Sequence, residues 1–141
     1  LTESLAKYVE LVLIEQRYGI EAMHALVDYE RQRFELAVRR SSSQTQAIVD
    51  ATEMHDLYSR ATLVFAILRQ QLGDERICQA LRQLWQQHAY PNTPATSMDF
   101  VRALQAAASP DRQQLIVELL LGTDVTLLFS EKYATAINKS H

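Results

Sequence analysis

Backbone punctuation is scarce in this chain, with three glycines and three prolines in 141 residues. With so few positions able to break or sharply turn the backbone, long helices with short connections are favoured over a many-turned β architecture. Each glycine, Gly19, Gly73 and Gly122, falls where a helix end is expected. Hydrophobic residues make up 48% of the chain and charged residues 22%, which supports a packed core and argues against disorder. The length suits one domain.

Hydrophobic periodicity then predicts six helices. Leu1 to Arg17 is apolar on nearly every side (Leu5, Tyr8, Val9, Leu11, Val12, Leu13, Ile14), the pattern of a central helix. Ile20 to Arg39 places Met23, Leu26, Val27 and Phe34 on one side and Glu21, Asp28, Glu30, Arg31 and Arg33 on the other. The polar run Ser41 to Gln46 reads as a loop. A third helix, from Met54 to Leu72, is a second candidate for a central position. Asp74 caps a fourth, in which Ile77, Leu81, Leu84, Trp85 and His88 form an amphipathic stripe. After the loop Tyr90 to Pro94, Thr96 or Ser97 starts a fifth with Phe100, Val101 and Leu104 inward. Ser109-Pro110 opens a sixth, which carries Leu115, Ile116, Leu119 and Leu120 up to Gly122. From Thr123 on, Val125, Leu127, Leu128 and Phe129 fit a strand or a short helix. The expected fold is all-α, an irregular bundle of helices in antiparallel pairs. A short α-solenoid is the alternative, disfavoured because no repeat ties the pairs together.

Several function classes find no footing. A formal charge of −3 gives no basic footprint for nucleic acid. No stretch approaches the roughly 20 apolar residues of a membrane span. The one cysteine, Cys78, rules out an internal disulfide and is expected to be a small core residue. His24, His55, His88 and His141 show no metal-ligand spacing and read as surface or boundary residues. The chain opens inside a helical pattern, without Met or a charged leader, so it is expected to be a piece of a longer protein.

Two residues stand out with their neighbours. Glu3 heads an otherwise apolar helix, where a carboxylate meets the positive end of the helix dipole. Tyr58 lies at the head of another, where a core tyrosine needs one hydrogen-bond partner.

The surrounding segments resemble the zinc peptidases of the aminopeptidase N (gluzincin) family. In that family a His-Glu-x-x-His helix is followed about eighteen residues later by Asn-Glu-Gly-Phe-Ala-x-Tyr-x-Glu. Thr2-Glu3-Ser4-Leu5-Ala6-Lys7-Tyr8-Val9-Glu10 is similar to that second motif, which implies that Glu3 is the third zinc ligand. Tyr58-Ser59-Arg60-Ala61-Thr62-Leu63-Val64, running on to Gly73, resembles the family's Tyr-x-Lys-Gly-Ala-x-Val, which implies that Tyr58 donates to the oxyanion of the tetrahedral intermediate. Asp74 to Arg82 resembles the family's helix after that tyrosine, and Tyr90 to Phe100 its next loop and helix start. Asp124 to Phe129 resembles its exit towards a β domain. The likeness is strongest to bacterial members fused to a transporter-permease-like region. Ser4 stands where the family has Gly, Arg60 where it has Lys, and Ala61 where it has Gly.

The resemblance implies that residues 1–141 are a helical fragment of a larger catalytic domain, with 123–141 leading to a missing downstream domain. In the parent, zinc and a peptide substrate are expected, together with an upstream pair of His ligands and a general-base Glu. The fragment alone is expected to be soluble, to bind no zinc and to hydrolyse nothing. The parent would lie in the cytoplasm or at a bacterial inner membrane. Self-association is expected through Leu5, Val9 and Leu13, and through Leu127, Leu128 and Phe129. The alternative is a non-catalytic helical interaction module or pseudopeptidase remnant, with a ligand-binding helical regulator domain as a third reading.

Overall fold

The computed structural model describes residues 1–40 and 46–133, and these form an all-α bundle of six helices. Helix α1 spans Thr2–Tyr18 and α2 spans Ile20–Arg40. A 3₁₀ turn at Ile48–Asp50 precedes a π-helical turn at His55–Arg60, which runs directly into α3, Ala61–Leu72. Then come α4 (Asp74–His88), α5 (Ser97–Ala107) and α6 (Pro110–Leu120), succeeded by 3₁₀ turns at Val125–Phe129 and Glu131–Tyr133. The expected loop at Ser41 to Gln46, apart from Gln46 itself, and the end of the expected exit segment lie outside the described residues.

Single residues separate α1 from α2 and α3 from α4. Gly19 and Gly73 hold φ of 92° and 83°, where a side chain would be strained. Helix α5 starts with a reciprocal capping box: Thr96 accepts from the Asp99 backbone N–H while the Asp99 carboxylate accepts from the Thr96 backbone N–H.

Helix α3 is the centre. Every residue from Ala61 to Leu68 is buried, and α1, α2, α4 and α6 all pack against it. A solenoid repeat would touch only its neighbours along the stack, so this arrangement is a bundle. Phe65 lies between Tyr8 and Phe100, with ring centroids 5.7 and 6.4 Å away.

The chain departs from the expected packing at several points. Helix α1 is not central. Only Ser4, Tyr8 and Leu11 are buried, while Val9 and Leu13 face outward; α1 lies on α2 and α3, and one face suffices for that. Trp85 is 74% exposed rather than inward: the fully buried residues of α4 are Ile77 and Ala80, and Trp85 lies off the face that packs on the bundle. Cys78 is exposed instead of being a core residue. Leu128, expected on a free surface, is buried, and Phe129 stacks on Phe34 with centroids 6.0 Å apart. Among the described residues no helix is long and apolar enough to cross a membrane.

Candidate functional site

The first turn of α1 and the π turn before α3 meet at one edge of the bundle. Glu3, exposed in that first turn, accepts a hydrogen bond from the Tyr58 hydroxyl, Oη to Oε2 3.2 Å, across 55 residues of sequence. Lys7, one turn further along α1, sets its ammonium 5.7 Å from the centroid of the Tyr58 ring and pairs with Glu10 at 2.7 Å. The phenol therefore lies along the head of α1, its hydroxyl on a carboxylate and its face towards a cation. Both residues singled out by sequence are brought together.

The local backbone explains how Tyr58 gets there. Five- rather than four-residue hydrogen bonding widens the helix at His55–Arg60, a distortion that is rare and concentrated at functional sites. The Tyr58 carbonyl accepts from the Ala61 backbone N–H and also from the Thr62 hydroxyl at 2.9 Å. Ser4 is fully buried and its hydroxyl reaches the Leu57 carbonyl at 3.5 Å. A larger side chain at Ser4 would push the two segments apart.

Beneath Tyr58 the turn is anchored by buried polar groups. The Ser59 hydroxyl donates to Glu30 of α2 at 2.5 Å, and both residues are almost fully buried. Arg60 is 2% exposed, pairs with Asp56 at 3.4 Å, and donates to the carbonyls of Gly122 at 3.0 Å and of Gln46. Burial lowers the Arg60 guanidinium from its ordinary value, while Asp56 pulls it back up. His55 approaches Asp56 at 3.7 Å.

Sequence periodicity does not pick out Glu30 or Asp56. It puts Glu30 on the polar side of α2, yet Met23, Val27, Glu30 and Phe34 are successive members of one helical stripe and all are buried. A carboxylate interrupting an apolar stripe is the signal that could have found it.

The donor set bears on the zinc that the resemblance implies. The site offers one carboxylate, Glu3, with an oxygen hydrogen-bonded to a phenol. Among the described residues no group of three or more His, Cys, Asp or Glu converges. A hard oxygen ligand suits a third position on zinc, and the other ligands would have to come from outside this chain. Next to the head of α1, where Leu1, Thr2 and Leu5 share a small cavity with Leu84 and Ala95, Leu81, Leu84, Trp85, Tyr90 and Pro94 line an open apolar groove of about 470 Å³.

Compared with known proteins, the chain matches no family model, no curated protein and no solved structure.

Proposed function

We propose that this chain is the helical portion of a gluzincin-type aminopeptidase catalytic domain, inactive by itself, with Glu3 as an oxygen ligand for zinc and Tyr58 as an oxyanion donor. One observation supports this above the others: Tyr58 and Glu3, far apart in sequence, share a hydrogen bond at an exposed edge of the fold. Zinc held there would polarise a substrate carbonyl and acidify bound water.

The remaining chemistry belongs to the residues of this chain. The Glu3 carboxylate is accessible and fixed on the first turn of a helix. The Tyr58 O–H already points at the carboxylate that would hold the metal, so a substrate oxygen arriving beside Glu3 meets a donor that needs little reorganisation. The buried anchors on Ser59 and Arg60 keep that donor from swinging away. Peptide bond hydrolysis at a free N-terminus is the reaction that the resemblance assigns to such a pair.

The test uses the protein extended upstream through its native residues. That protein should bind one zinc and hydrolyse aminoacyl-anilides, and Glu3→Gln should lose the metal. The 141-residue chain should do neither. An extended protein without zinc and without hydrolysis overturns the proposal.

The second reading, a non-catalytic interaction module, is supported by the open groove beside Trp85 and Tyr90, which are 74% and 97% exposed. Self-association of the isolated chain belongs with it. Val9 and Leu13 are exposed on α1, so sedimentation should show a concentration-dependent rise in mass that Leu13→Glu suppresses.

A further inference from the structure

We propose that Glu30 is a positioning residue: by accepting the Ser59 hydroxyl it holds the π turn in the register that lays Tyr58 against Glu3. The functional consequence rests on the peptidase reading above, but the positioning itself does not.

Glu30 sits on the buried stripe of α2, 3% exposed, between Val27 and Phe34. An apolar side chain would fill that place without the cost of burying a carboxylate. The carboxylate is met by the Ser59 hydroxyl at 2.5 Å and by Arg33 at 3.4 Å. Ser59 is the residue next to Tyr58, in the second half of the widened turn. The ionic group in the core therefore holds the side chain of the residue next to the phenol.

A widened turn needs such a grip. π-Helical hydrogen bonding is rare and occurs mostly as single turns within α-helices, so the register of this turn depends on the contacts around it. Loss of the extra residue would rotate the preceding part of the segment by about 100° about the helix axis and carry the phenol off Glu3. The other anchors lie to either side. Ser4 touches the Leu57 carbonyl, and Arg60 reaches the Gly122 carbonyl. From α2, Glu30 takes hold between them through Ser59, and Phe34 packs on His55 at the start of the turn.

The test reads the Tyr58–Glu3 contact directly in the 141-residue chain, labelled with ¹³C at tyrosine Cζ and with Tyr58 assigned through Tyr58→Phe. In the wild type, Glu3→Gln should shift the Tyr58 resonance. In the Ser59→Ala and Glu30→Met backgrounds that response should shrink to less than half, and Ser59→Thr, which keeps the hydroxyl, should restore it. Ile67→Val, a core change away from the turn, should lower the melting temperature and leave the response intact. Glu30→Asp retracts the carboxylate by one methylene and should give a partial loss, which covers the case in which a more drastic variant fails to fold. A full-sized response in the folded Glu30→Asp, Glu30→Met or Ser59→Ala chain overturns the proposal. No zinc or substrate is present in this measurement, so failure of the peptidase reading would leave it unchanged. Failure of the positioning proposal would appear in the Tyr58 response alone, whatever the extended protein hydrolyses.

Discussion

Arg69, in the last turn of α3, and Asp74, the first residue of α4, face each other across Gly73 through two hydrogen bonds, Nε at 2.9 Å and Nη2 at 2.8 Å. Tyr8 of α1 donates to the same carboxylate at 3.0 Å, and Glu15 of α1 accepts from the remaining guanidinium nitrogen at 2.7 Å. One network thus ties three helices together where they converge on a single-residue linker. The Arg69 hydrogen bonds hold the Asp74 carboxyl below the usual carboxylate range, against a smaller upward pull from burial. Burial, reinforced by Cys78 and Asp74, pushes the Tyr8 phenol well above its ordinary value.

This network makes stability depend on acid pH with a definite sign. Because the folded-state value of Asp74 is depressed, its contribution is fully present above the unfolded value, about 3.9 for Asp. It is lost as pH falls through the folded value. The melting temperature of Asp74→Asn should therefore lie below wild type at pH 6, and the gap should close as pH drops below 4. A gap that stays constant down to pH 2 would mean that Asp74 ionisation contributes nothing. Thermal melts followed by circular dichroism across that range make the measurement.

The helices and most of the core were legible in the sequence because glycine stops, the Ser109-Pro110 start and the apolar stripes are local signals. The stripe of α5, with Phe100, Val101 and Leu104 buried, follows its sequence pattern directly. What sequence could not supply was which apolar face finds a partner. Helix α1 has apolar residues around most of its circumference, yet only the face carrying Ser4, Tyr8 and Leu11 is buried, and Val9 and Leu13 stay exposed. Trp85 shares its stripe with Ile77 and ends up in solvent. Glu3 and Tyr58 were both identified from sequence, whereas the buried Glu30–Ser59 and Asp56–Arg60 pairs beneath them were not. Those pairs join segments distant in sequence or depend on a π turn, and helical periodicity reports neither.

Phe65 should be among the costliest residues to truncate. It is fully buried on the central helix and its ring touches aromatic neighbours from α1 and α5. Phe65→Ala should cost about 3–5 kcal/mol, because the lost burial is compounded by a cavity that three helices cannot close. Urea denaturation checks the value. A loss below about 1 kcal/mol would show that the core collapses around the site.

Tyr58→Phe separates donor chemistry from folding. The hydroxyl lies at the surface and its partner Glu3 is exposed, so the melting temperature of the 141-residue chain should barely move. In the extended protein the same substitution should lower kcat by about 10²–10³ with KM nearly unchanged, the signature of a donor used in the transition state. Zinc content should stay at one per chain, because Glu3 is untouched. Loss of zinc along with activity would assign Tyr58 a role in holding the metal site together instead.

The Asp56–Arg60 pair should behave differently when broken than when replaced. Both residues are almost fully buried, and Arg60 Nε has no hydrogen-bond partner among the described residues. Asp56 offsets part of the desolvation cost of the guanidinium, and burial still lowers it from its ordinary value. Asp56→Ala leaves that cation uncompensated and should cost about 3–5 kcal/mol. Arg60→Met alone strands the Asp56 carboxylate near His55 and frees the Gly122 carbonyl, so it should also destabilise. Removing both charges should cost less than the sum of the single losses, by about 1–3 kcal/mol in a double-mutant cycle. Strict additivity in urea denaturation would show that the two groups do not interact and that the backbone carbonyls alone hold Arg60 in place.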